Sequence, residues 1–129
     1  MDLEAFKKQP REYIRDALAS DEVPSGFLLD DELWSVVRWI CAERQGILGF
    51  DALRRFTERR VEAFCKQTDE LILRAIRLRS IPDEVLRDKN GWKRICQVRG
   101  RNFAEVDRLT WRHICEMRGG LGVPAGPYE

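Results

Sequence analysis

Apolar residues recur along the chain at spacings of three and four with charged residues between them, which is the period of amphipathic helices. Pro10 opens one such stretch and places Tyr13, Ile14, Ala17 and Leu18 on one face. Val23-Pro24-Ser25-Gly26 then reads as a loop. Asp30 stands at an N-cap position, with Asp31 and Glu32 in the first turn, where the helix dipole favours acids. The helix it starts is expected to run to about Arg44 and to stop near Gly46, with Leu33, Val37, Ile40 and Cys41 as its core stripe.

From Phe50 to Leu78 neither Gly nor Pro interrupts the pattern. Leu53, Val61, Phe64, Leu71, Ala75 and Leu78 fall in one arc, so one long central helix is expected; a break would fall near Gln67-Thr68-Asp69. Arg60 lies inside that arc, where it must either reach for the surface or meet a partner. Pro82 with Asp83 and Glu84 marks another start. Asn90-Gly91 reads as an interruption before a short helix from Trp92 to Gly100. Asn102 with Glu105 resembles a capping box opening a last helix to about Arg118. No alternating β-branched run and no hairpin signal occurs. The expectation is an all-α compact bundle of about six helices, a single domain over 1–118, with a flexible Gly/Pro-rich tail over 119–129.

One internal repeat stands out: WKRICQVRG from Trp92 and WRHICEMRG from Trp111 share Trp, Ile, Cys, Arg and Gly. Packing accounts for it as two similarly built helix ends in one core, with Gly100 and Gly119 as left-handed caps.

Composition fits this picture: of 129 residues, 43% are hydrophobic and 35% charged. No apolar run approaches the ~18 residues of a membrane span, and MDLEAFKKQPREYI has no apolar signal core, so a cytoplasmic protein without membrane contact is expected. Four cysteines without a close pair read as reduced thiols, with a cysteine-ligated metal or Fe–S centre as a third-ranked reading; no cofactor is expected.

Charge changes the picture most. Residues 1–53 carry 6 Lys or Arg against 11 Asp or Glu, whereas residues 54–129 carry 17 against 11. Eighteen of the 23 basic residues are Arg, the side chain that grips phosphate and carboxylate bidentately. No phosphate loop, HExxH or GxSxG occurs, and the one histidine, His113, sits at the rim of an apolar arc, so no enzyme is expected. The first reading is a binding module, an accessory or regulatory subunit whose basic face docks on nucleic acid or a nucleoprotein complex through Arg55, Arg59, Lys66, Arg77, Lys93, Arg94, Arg99 and Arg101. The alternative is a protein–protein adaptor or inhibitor acting through Arg60 and through Trp39, which falls on the polar side of its helix. Opposite charge in the two halves also admits a homo-oligomer.

Overall fold

The computed structural model describes residues 2–43 and 48–123. Eight α-helices occur among them: α1 (Leu3–Lys7), α2 (Arg11–Ser20), α3 (Asp31–Ala42), α4 (Phe50–Cys65), α5 (Asp69–Leu78), α6 (Asp83–Arg87), α7 (Lys89–Arg101) and α8 (Arg108–Gly120). Two 3-10 turns, Phe27–Leu29 and Phe103–Glu105, join them, and no strand is present among the described residues. The all-α class holds. The contacts divide the chain into two compact units, Met1–Ala63 and Phe64–Glu129.

Most of these helices are too short to be stable alone, so side-chain caps and packing set their limits. Asp2, Asp30, Thr68, Asp88 and Asp107 each accept the backbone N–H three residues on. Thr68 is the cap that decides most. Its hydroxyl accepts from Leu71 N–H at 3.4 Å with Thr68 itself extended, so the expected helix over 50–78 divides into α4 and α5. The break resets the helical phase. Ile72, Leu73 and Ile76 turn inward, and Leu71 and Leu78, expected in the core, are exposed.

Three further boundaries differ from expectation for the same local reason. Asp88 accepts from Gly91 N–H at 2.8 Å, so Asn90-Gly91 lies in the first turn of α7 instead of interrupting it. Asp107, not Asn102, caps α8, accepting from the Thr110 N–H at 2.7 Å and from its hydroxyl at 2.9 Å. Gly100 and Gly119 are helical residues; left-handed glycines occur instead at Gly26 and Gly122. Helix α8 therefore reaches Gly120, into the expected tail, and residues 124–129 of that tail lie outside the described residues, as do Arg44 and Gly46.

In the first unit the core gathers Phe6 of α1, Ile14, Ala17 and Leu18 of α2, Phe27 and Leu28, the whole expected stripe of α3, and Ala52 and Phe56 of α4. Lys7 ties α1 to the start of α3, with Asp30 and Glu32 each 3.0 Å from its ammonium.

In the second unit the repeat explains itself through its aromatic residues. Trp92 and Trp111 stack with ring centroids 5.4 Å apart and planes at 15°. The repeat's two arginines cross over: Arg99 lies 4.6 Å over Trp111, and Arg118 lies 4.7 Å over Trp92. Each repeat thus covers the indole of the other with its own cation. Ile95 and Ile114, also equivalent, are fully buried. Both indole N–H groups are buried without an acceptor among the described residues, a cost of about 1–3 kcal/mol each that the stacking and burial must outweigh.

Gly91 and Gly100 should respond to alanine with opposite sign. A Cβ on Gly91 would stand 2.5 Å from the Val85 carbonyl oxygen, which is backbone and cannot yield without moving α6. Gly91→Ala should therefore lose about 1–3 kcal/mol by overpacking. Gly100 is helical with open space around the same position, so Gly100→Ala should gain about 0.5 kcal/mol. Urea-unfolding midpoints of the two variants read both effects.

Candidate docking faces

The arginines that the sequence nominates fall into two groups once their neighbours are seen. Arg60 of α4 is 3% exposed; its guanidinium donates to the Leu28 carbonyl and to Asp31 Oδ1 at 2.9 Å, and it lies 4.9 Å over the Trp34 ring. It braces α4 against the start of α3 from inside the unit, so its expected role as a partner contact is replaced by a structural one. Arg94 of α7 donates to the carbonyls of Cys65 and Gln67, both at 2.9 Å, and pairs with Asp69 at 3.2 Å. Those carbonyls close the end of α4, where helical acceptors lack partners. Arg99 is half-buried between Phe103 and Trp111.

The remaining nominated residues are exposed, but most of them meet acids. Arg59 pairs with Asp21 at 3.2 Å, Arg77 with Glu105 at 3.4 Å and Arg101 with Asp69 at 3.1 Å. Such exposed pairs contribute about 0–1 kcal/mol and can open, yet they cancel field. Lys66 is exposed just after α4. Arg55 and Lys93 are exposed and form no ion pair with another described residue. The stripe expected along one long helix loses its common register at Thr68, since Arg55 and Arg59 ride on α4 and Arg77 on α5.

Trp39 keeps the place its helical phase assigns. It is 62% exposed on α3, and the Arg11 guanidinium of α2 lies 5.0 Å over its ring. Arg11 also reaches Glu43 at 3.6 Å, so the indole sits in a charged frame on the surface of the first unit. No protein-family model matches the chain, and no curated protein or solved structure matches it. The geometry alone must carry the functional reading.

A second opening, which the sequence reading did not nominate, lies in the second unit. Leu109, Arg112, His113 and Glu116 occupy positions i, i+3, i+4 and i+7 of α8 and therefore share one face. Arg79, at the end of α5, completes a cleft of about 350 Å3 with them. The signal was present in the spacing of these residues, but only the approach of α5 to α8 makes it a concavity. Among the described residues, no grouping of His, Cys, Asp or Glu could hold a metal ion, and no helix is long and apolar enough to cross a membrane. No disulfide joins the four cysteines, and burial pushes the Cys41 thiol up.

The carboxyl of Asp107, beside this cleft, is held below the ordinary carboxylate value. The Thr110 N–H acts most strongly, then the Thr110 hydroxyl; burial opposes them, and the Leu109 N–H and the Arg79 charge add to the lowering. Asp30 is lowered too: burial, the largest influence, works against ionisation, but the Leu33 N–H and Lys7 together outweigh it.

A group with a depressed folded value stabilises the fold fully above its unfolded value, near ~3.9 for Asp, and loses that contribution as pH falls through the folded value. Asp107→Asn keeps an acceptor at the cap but removes the titration. Its urea midpoint should thus fall less steeply than that of the parent below about pH 4 and run parallel to it at neutral pH. Arg60→Ala should cost about 3 kcal/mol at any pH, since it strands the Leu28 carbonyl and empties a buried site. Trp39→Ala, by contrast, should leave the unfolding midpoint within about 0.5 kcal/mol of the parent.

Proposed function

We propose that this chain is a non-enzymatic binding module that docks a protein partner through the Trp39 face of its first unit. The observation that carries the reading is a large indole left 62% exposed on the outer side of α3, with the Arg11 cation over it. Tryptophan and arginine are among the residues that most often anchor protein interfaces, the indole because it covers much area with only two rotatable torsions and the guanidinium because its planar fork offers several donors. Arg11, held by Glu43 on one side and by the ring on the other, loses little further freedom when a partner arrives.

A second reading, docking on nucleic acid, keeps support from the charge of the second unit. Residues 64–129 carry 13 Lys or Arg against 9 Asp or Glu. Lys89 and Lys93 stand one turn apart on α7, both exposed. It ranks second because Arg59, Arg77, Arg94 and Arg101 already meet acids and Arg99 is held between aromatic rings.

The two separate in one experiment: affinity capture from the native host with the parent chain, Trp39→Ala and Lys93→Glu, each with and without nuclease. The Trp39 reading expects a nuclease-resistant partner retained by the parent and Lys93→Glu and lost by Trp39→Ala, with unchanged helicity by circular dichroism. Equal retention by Trp39→Ala rejects it. Retention abolished by nuclease, and weakening steeply between about 50 and 200 mM salt, would move the second reading to first place.

A further inference from the structure

We propose that the cleft formed by Arg79, Leu109, Arg112, His113 and Glu116 is a binding site for a small phosphate monoester with an apolar body. Its residues all belong to the second unit and none is shared with the Trp39 face, so the site stands or falls independently of the protein-docking reading.

Three observations converge. The first is chemistry: two guanidiniums and an imidazole border one opening, and none of them forms an ion pair with another described residue. The planar fork of arginine matches phosphate oxygens in pairs, and two forks from different elements can hold one phosphate from two sides. The second is size and lining. About 350 Å3 lies within the range of small-molecule sites, and Leu109, 69% exposed, offers a bare aliphatic shelf inside it. A free inorganic anion would have no use for that shelf; an ester would lay its organic group there. Glu116 adds an acceptor three residues beyond His113, suited to a hydroxyl or amino group on that organic part.

The third observation concerns the backbone at Arg79. It ends α5 in the left-handed conformation, φ +54°, with the Ser80 N–H donating to the Ala75 carbonyl at 2.9 Å. Glycine is the natural occupant of such a position, and among the described residues only Asp21 and Arg79 take positive φ without being glycine. Aspartate tolerates this conformation better than most residues; arginine has no such excuse. The chain accepts local strain where it places a guanidinium over the cleft, as strained residues at binding sites often do.

That strain supplies a clean test. Arg79→Gly removes the cation and relieves the backbone, so its thermal midpoint should stay level or rise. Titration of isotope-labelled full chain with adenosine monophosphate, followed by NMR, should show saturable shifts at Leu109, Arg112 and His113. Inorganic phosphate should bind at least threefold more weakly, and adenosine should give no shift. Arg79→Gly and Arg112→Gln should each weaken binding of the ester tenfold or more. The proposal is overturned if adenosine monophosphate gives no saturable shift up to about 1 mM, if Arg79→Gly binds it as the parent does, or if phosphate alone binds equally well.

Discussion

Every tryptophan in this chain lies beneath a guanidinium. Arg60 covers Trp34, Arg11 covers Trp39, Arg118 covers Trp92 and Arg99 covers Trp111, at 4.6 to 5.0 Å. The attraction of a cation for an indole face is about 0.5–1 kcal/mol where exposed and grows to about 2 kcal/mol when water is excluded. It therefore favours burying both partners together. Three of the four pairs lie in core positions, and there the arginine also satisfies a carbonyl or lines an aromatic layer. In a chain whose helices are mostly five to thirteen residues long, these pairs do what longer apolar stripes do elsewhere. They join elements far apart in sequence, although the Nε of Arg99 is buried without a hydrogen-bond acceptor among the described residues.

This use of arginine inverts the meaning of the composition. Eighteen arginines suggest a surface for polyanions, since arginine is the usual partner of phosphate. Yet a guanidinium over an indole with a carbonyl at its edge is as well satisfied inside as outside. Arg60, Arg99 and Arg118 are lost to any outside ligand, and Arg94 is bound to the end of α4. What remains for binding is the set of cations left at the surface, some of which, like Arg11 beside Glu43, already stand next to an acid. A count of charges along a sequence cannot make this distinction, because it depends on partners about thirty residues away.

The same contrast divides what was legible from what was not. The all-α class, the Asp30 cap, the start after Pro82 and the buried stripe of α3 follow from local spacing and cap chemistry. Helical phase put Trp39 on the polar side of α3, but that it stays exposed, with no other helix over it among the described residues, was decided by the packing and not by the phase. The division at Thr68 was harder. Apolar residues continue in register past it, and a single threonine hydroxyl, a weak cap by its chemistry, decides between one helix and two. Asn102 and Asp107 compete on similar terms. Asn102 and Glu105 have the spacing of a capping box, but Asp107 with Thr110 offers a charged acceptor used twice, and the charged bonds win. The Arg79 cleft was out of reach for a different reason: one wall is a helix face visible in the spacing, and the other is a strained cap that only the packed second unit brings near it.

The repeat ties these threads together. Two nine-residue segments with the same Trp, Ile, Cys, Arg and Gly could have packed their tryptophans against unrelated partners. Instead each segment donates its arginine to the other's indole, and the indoles meet. Such reciprocity makes the two helices interdependent: removing either arginine uncovers the ring of the opposite segment, not its own. It also fixes which faces turn outward. With Trp111, Ile114 and Arg118 directed to the core, the Leu109, Arg112, His113 and Glu116 face of α8 has nowhere to go but the surface. The inward arginines thus determine the outward ones, and the chemistry available for binding is set by how the interior is built.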